Sequence, residues 1–109
     1  MSKSDAVYLS DIRESVDIIL KYTANVTEQE FLNDTMLQDA VIRRLEIIGE
    51  AASKLSNQFI VANPAIPWKL MKAMRNKHIH EYSGVSPSTI YSTIIKDIPI
   101  LQTQLDQLG

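Results

Sequence analysis

Apolar residues in this chain recur every three or four positions, and not every two. Leu37, Val41, Leu45, Ile48, Ala52, Leu55 and Phe59, with Arg44 among them, form a stripe sustained for about seven helical turns. A strand cannot bury such a pattern on one face, whereas a helix buries all of it, so the spacing predicts a long helix entered through an Asp34 cap. Ile47, Ala51 and Ile60 widen the stripe. Gly49 and the alanines near it leave room for the close approach of another helix, from this chain or a second one.

The other segments share this period. Leu9, Ile12, Val16, Ile19 and Leu20 predict a first helix over about residues 5–23. Thr27 with Glu30 makes a capping box, which starts a short connector carrying Phe31 and Leu32 inward. Asn63, Pro64 and Pro67 close the long helix, and Pro67 suits the first turn of the next, expected to run to about Tyr82. After a break at Ser83 and Gly84, Ser86 and Pro87 open a last helix bearing Ile90, Ile94 and Ile95. Pro99 then favours a kinked continuation over a separate short helix. The three glycines and four prolines fall almost entirely at these interruptions. The architecture expected is all-α, a bundle of four or five helices forming a single domain over residues 1–109.

Composition narrows the function. Without cysteine there is no disulfide framework, zinc ribbon or thiol nucleophile. No N-terminal apolar run resembles a signal peptide and no stretch is long and apolar enough for a membrane span, so the expected compartment is the cytoplasm. Net charge is −2, which argues against a general nucleic-acid coat protein, but its distribution is uneven. Residues 66–80 hold four of the eleven cations (Lys69, Lys72, Arg75 and Lys77) and none of the thirteen acids, so about +4 faces about −6 elsewhere. Such an island suits a phosphate backbone, with the three lysines as candidate RNA-binding residues.

On a wheel at 100° per residue with Arg75 at the origin, Trp68, Met71, Met74, His78, Ile79 and Tyr82 lie within about 100° on a packing side. Asn76 at about 100°, Lys69 at about 120°, His80 at about 140° and Lys77 at about 200° make a polar arc. His78 therefore reads as a packed histidine, and His80 as the better candidate for proton exchange, although a helix histidine among polar groups is most often simply solvated. Residues two apart diverge by about 200°, a poor arrangement for metal ligands, so neither a bound metal nor any other cofactor is expected. Arg75, Asn76, His80 and Tyr82 together offer a phosphate-binding fork, an amide, a group titrating near neutrality and a phenol. These parts suit metal-free cleavage of RNA, in which a base takes the 2′-OH proton and a cation stabilises the pentacoordinate phosphate. Arg75 and His80 stand about 140° apart, so reaching one phosphate requires the arginine's length, a distorted helix or a cleft between two protomers.

The run Arg75-Asn76-Lys77-His78-Ile79-His80-Glu81-Tyr82 resembles the R-x4-H-x-Y motif of HepT-like proteins, the toxin members of the HEPN superfamily of small helical ribonucleases. DAVIRRLEIIGEAASKL from Asp39, NPAIPWKLMKAMRNKHIHEY from Asn63 and DIP from Asp97 resemble the family in the same order. The resemblance implies a homodimeric, metal-independent endoribonuclease with Arg75 and His80 at a cleft between subunits, acting on RNA, with tRNA a candidate. It also implies a nucleotidyltransferase antitoxin of MntA type, which neutralises the toxin by transferring AMP onto Tyr82. In this reading His80 is base or acid, Arg75 stabilises the phosphorane and Asn76 orients the phosphate or the histidine. Glu81 inside the motif raises a nearby histidine's proton affinity or repels RNA. From the residues alone, Tyr82 also reads as a helix-end aromatic with a wet hydroxyl, and Arg43 and Arg44 as a solvated helix edge. Two rival functions remain: a non-catalytic helical module that docks a nucleotidyltransferase, and a purely structural dimerisation bundle.

Overall fold

The computed structural model describes residues 1–75 and 86–108. Six helices appear among them and no strand: α1 (Lys3–Thr23), α2 (Glu28–Leu32), α3 (Thr35–Lys54), α4 (Asn57–Ala62), α5 (Trp68–Ala73) and α6 (Pro87–Asp106). The all-α architecture expected from the apolar period is present.

The helix starts follow local chemistry. Ser2 caps α1 by accepting the Asp5 backbone N–H, and Asp34 caps α3 through Leu37 N–H. The capping box at α2 is complete, with Thr27 Oγ1 accepting from Glu30 N–H and Glu30 returning the bond to Thr27 N–H. Ser86 caps α6 with Pro87 in its first turn. Between α1 and α2, Asn25 adopts φ 61°, the left-handed conformation that asparagine tolerates when a helix ends.

α1 packs along α3 and α6, α5 crosses α3, and α2 fits against α3 and α6. Their inner faces form one cluster that includes Ile12, Val16 and Ile19 of α1, Phe31 of α2, Val41, Leu45 and Ile48 of α3, Met71 of α5, and Ile94, Ile98 and Leu101 of α6. Each such aliphatic side chain contributes about 1.5–3 kcal/mol by leaving water, so this seam outweighs any single polar contact. Polar anchors set its ends: Tyr91 donates its hydroxyl to Val26 O at 2.7 Å, and Trp68 donates Nε1–H to Asn63 O at 2.8 Å while its ring meets Phe59 edge-on.

Three expectations need correction. The long apolar stripe is one face but two helices. Leu55 (ψ 145°) and Ser56 (φ −65°, ψ 149°) are extended, and Ser56 restarts the chain as the cap of α4. Leu55 stays buried and Phe59 partly so, which is why their i, i+4 spacing conceals the break. The helix after Pro67 does not continue regularly to Tyr82. Regular α-helix ends at Ala73, and Met74 and Arg75 form a tighter turn, with Met74 N–H bonded to Met71 O and Arg75 N–H to Lys72 O. Leu32 and Ile95 face solvent, so the inward stripe of α6 is Ile90, Ile94, Ile98, Leu101 and Leu105. At Pro99 the helix carries on as one element. The break expected at Ser83 and Gly84 lies outside the described residues.

The cause of the α3–α4 break lies 51 residues away. Asp5, only 3% exposed, accepts from Ser56 N–H at 2.8 Å and from Ser56 Oγ–H at 2.6 Å. The Ser56 oxygen also accepts Phe59 N–H at 3.2 Å. One serine thus caps a helix and satisfies a buried carboxylate, which a continuous helix through position 56 would forbid. The Ser56 hydroxyl, and then its backbone N–H, hold the Asp5 carboxyl below the ordinary aspartate value of 3.8, against the opposing effect of burial.

Candidate functional site

The basic island begins on α5, whose six residues alternate between core and solvent. Trp68 and Met71, with Met74 beyond, are buried against the bundle, and Lys69, Lys72 and Arg75 are exposed. The wheel predicts this for Trp68, Met71, Met74 and Lys69, but it sets Arg75 in the middle of the packing side; the turn at Met74 and Arg75, where the regular helix has ended, is what leaves the arginine exposed. Lys72 and Arg75, three apart at the end of the helix, are neighbours on its outer side.

Arg75 stands where α5 meets α3, at Gly49. A Cβ on Gly49 would lie 2.4 Å from Arg75 N, 2.6 Å from Arg75 Cβ and 2.8 Å from Met71 O, distances no methyl group can occupy. Glycine is therefore what lets the Arg75 backbone lie against α3, and the close approach anticipated at Gly49 is made by this chain's own α5. One turn further along α3, Ser53 Oγ accepts a hydrogen bond from Arg75 Nη1 at 3.3 Å. The same hydroxyl donates to Glu50 O at 2.7 Å. Among the described residues Arg75 makes no ion pair, and the nearby Glu50 carboxylate is engaged with Lys54 at 3.5 Å. Among the described residues, the guanidinium is thus located by packing and one neutral acceptor, with no carboxylate to neutralise it.

Arg43 is exposed and pairs with Glu46 at 3.7 Å, in keeping with a solvated helix edge. A largely apolar groove of about 200 Å³ opens beside α5, lined by Leu45, Leu70, Ala73, Met74 and Ile90 together with Thr89, Thr93 and Asp97 of α6; Arg75 is not among its lining residues. Charge and apolar groove are therefore separate surfaces of one helix.

Of the site residues read from the sequence, Arg75, Lys69 and Lys72 lie on one solvent-facing stretch. Asn76, Lys77, His80 and Tyr82, with His78 and Glu81, lie outside the described residues. Because regular helix ends at Ala73, wheel angles cannot relate Arg75 to those positions. Sequence reasoning passed over Ser53. The signal was present: Gly49 marked where a helix would cross, and a residue four positions on shares that face. No helix among the described residues is long and apolar enough to cross a membrane.

Comparison with known proteins identifies the family. A family model described as "Ribonuclease HepT-like" matches residues 12–108. The chain is 42% identical over 108 residues to "Probable ribonuclease HepT" of Thermococcus cleftensis, covering 99% of this chain and 98% of that one. It is 37% identical over 107 residues to "Putative RNase MJ1380" of Methanocaldococcus jannaschii, covering 97% and 98%. A third relative, "Putative RNase TTE0752" of Caldanaerobacter subterraneus, is 36% identical over 97% of this chain and 95% of its own. No solved structure matches. With a family model spanning most of its length and relatives aligned nearly end to end, the chain belongs to the HepT-like ribonuclease family.

Proposed function

We propose that this protein is a metal-independent endoribonuclease, a single domain working as the toxin of a HepT/MntA-type pair in the cytoplasm. The observation that carries the reading is Arg75: an exposed guanidinium held at a helix crossing, without a carboxylate partner among the described residues, beside Lys72 on a basic stretch. Family membership supplies the reaction class.

The chemistry follows from these parts. His80 as base takes the 2′-OH proton, the 2′-oxygen bonds to phosphorus, and the P–O5′ bond breaks as the departing oxygen receives a proton. The phosphorane carries additional negative charge, which Arg75 offsets; Asn76 orients the phosphate or the imidazole, and Lys69, Lys72 and Lys77 hold the flanking backbone. Two subunits form the cleft, and RNA, with tRNA a candidate, is the substrate. A nucleotidyltransferase antitoxin of MntA type silences the enzyme by adding AMP to Tyr82 of the motif, a modification that introduces phosphate charge.

The test is incubation of pure protein with RNA in EDTA. Discrete fragments ending in 2′,3′-cyclic phosphate are expected, and a substrate with 2′-deoxyribose at the cut site should resist. Cleavage that is undiminished in both Arg75→Ala and His80→Ala, or equal cutting of the deoxy substrate, overturns the mechanism. RNA that stays intact while the protein binds its nucleotidyltransferase favours the docking-module alternative.

A further inference from the structure

We infer that Ser53 is the positioning residue for Arg75, setting the direction of its guanidinium without neutralising it. The inference rests on Arg75 acting on the scissile phosphate as proposed above, and deepens that reading.

Three observations converge. First, the hydroxyl is itself fixed: Ser53 Oγ–H donates to Glu50 O at 2.7 Å, a bond of the serine to its own helix that directs the remaining lone pairs outward. Second, one of those lone pairs accepts from Arg75 Nη1 at 3.3 Å, so the arginine meets a rigid acceptor on a 20-residue helix and not a mobile loop. Third, Gly49, four residues before Ser53, brings the Arg75 backbone into contact with the same face, so both ends of the arginine are referenced to α3. The acceptor's identity matters chemically. A carboxylate at position 53 would orient the fork as well but neutralise it, whereas a hydroxyl leaves the positive charge for phosphate. Glu50, one turn before Ser53 on α3, has its carboxylate paired with Lys54 at 3.5 Å.

Ser53 acts through Arg75 and touches no substrate. In RNA cleavage without metal, Ser53→Ala should lower kcat about threefold to tenfold, the range for one hydrogen bond to an exposed charge, and leave KM within about twofold. Ser53→Thr, which keeps the hydroxyl, should restore most of the rate. Ser53→Asp should be slower than Ser53→Ala, an order that a merely structural serine does not predict. Independently of activity, NMR of the Arg75 side chain should find guanidinium rotation faster in Ser53→Ala than in the parent. Circular dichroism should be unchanged, since alanine favours a helix. A Ser53→Ala protein with parental kcat and unaltered Arg75 dynamics overturns the inference, as does an Asp variant as active as the Ala one. If Arg75→Ala itself cleaves at the parental rate, the failure lies instead with the catalytic reading of Arg75.

Discussion

Two serines three residues apart around the α3–α4 junction each hold one charged side chain, Ser56 by donating to Asp5 and Ser53 by accepting from Arg75, and the two pairs serve opposite ends. Ser56 meets Asp5 with two bonds of 2.8 and 2.6 Å in a buried setting. Ser53 meets Arg75 with one bond of 3.3 Å at the surface. In the first pair the carboxylate's hydrogen-bonding capacity is taken up inside the protein, so its charge serves the fold. In the second, the described residues engage one of the guanidinium's five N–H donors and set no carboxylate against it, which is the arrangement the proposed phosphate-binding role needs. A charged group signals function less by its presence than by how much of its bonding the protein has left free.

The largest expected effect tests the second pair. Arg75→Ala should reduce RNA cleavage about 10²- to 10³-fold, the usual loss when one donor to a developing oxyanion is removed. Its thermal stability should stay near the parent's, because the side chain is exposed and makes a single long bond among the described residues. Steady-state cleavage rates and a melting curve check both halves. Asp5→Ala should give the mirror image, with lower Tm and unchanged kcat in the folded protein.

Gly49→Ala should damage both stability and activity. Alanine is the better helix former by about 1 kcal/mol, but two of the three atoms its methyl would strike, Arg75 N and Met71 O, are backbone and cannot rotate aside. Overpacking of this kind costs about 1–3 kcal/mol, so the net change should be destabilising. Moving α5 away from α3 also moves Arg75 away from Ser53, and kcat should fall with Tm. Denaturant melts with cleavage assays decide it: a Gly49→Ala protein more stable than its parent would mean the helices separate without cost.

The same contrasts explain what the sequence disclosed. Periodicity identified the buried faces of α1 and α3, because burial is a sum over many residues that no single contact overrides. The caps at Thr27, Asp34 and Ser86 were legible because capping is local, with donor and acceptor three residues apart. The break at Ser56 was not legible, since its cause is Asp5, distant in sequence, and the stripe continues undisturbed across it. Arg75 was singled out as a candidate through its charge and spacing. Its neighbour Ser53 was missed because a serine inside a helix has no pattern until the crossing helix is known.

The Asp5 pair should respond to acid, and the direction is fixed. A carboxyl held below 3.8 in the folded protein contributes stability that is fully present above that ordinary value and is lost as pH falls through the lowered native one. Asp5→Asn should therefore have a lower Tm than the parent at neutral pH, and the gap should narrow as pH drops below about 3.8. Ser56→Ala removes the α4 cap as well, worth about 1 kcal/mol, and should also flatten the acid branch. A gap between Asp5→Asn and its parent that is constant across acid pH would mean the carboxylate is held no more tightly in the folded chain than in the unfolded one.

The smallest effect asks whether surface cations divide in the same way. Lys72 is exposed beside Arg75 with no carboxylate partner among the described residues, whereas Lys54 is paired with Glu50 at 3.5 Å and lies over the Tyr8 ring at 5.9 Å. If RNA lies along α5, Lys72→Ala removes one phosphate contact. The slope of log affinity against log salt should then become shallower by about 0.7, the value for one single-strand contact, while kcat at saturating RNA changes little. Lys54→Ala should leave that slope alone. Removing it also frees Glu50 from its partner, so a slight loss of affinity at low salt, screened away at high salt, is the secondary signature. Equal slope changes for the two lysines would mean that the RNA path extends across α3, with the Lys54–Glu50 pair opening to admit it.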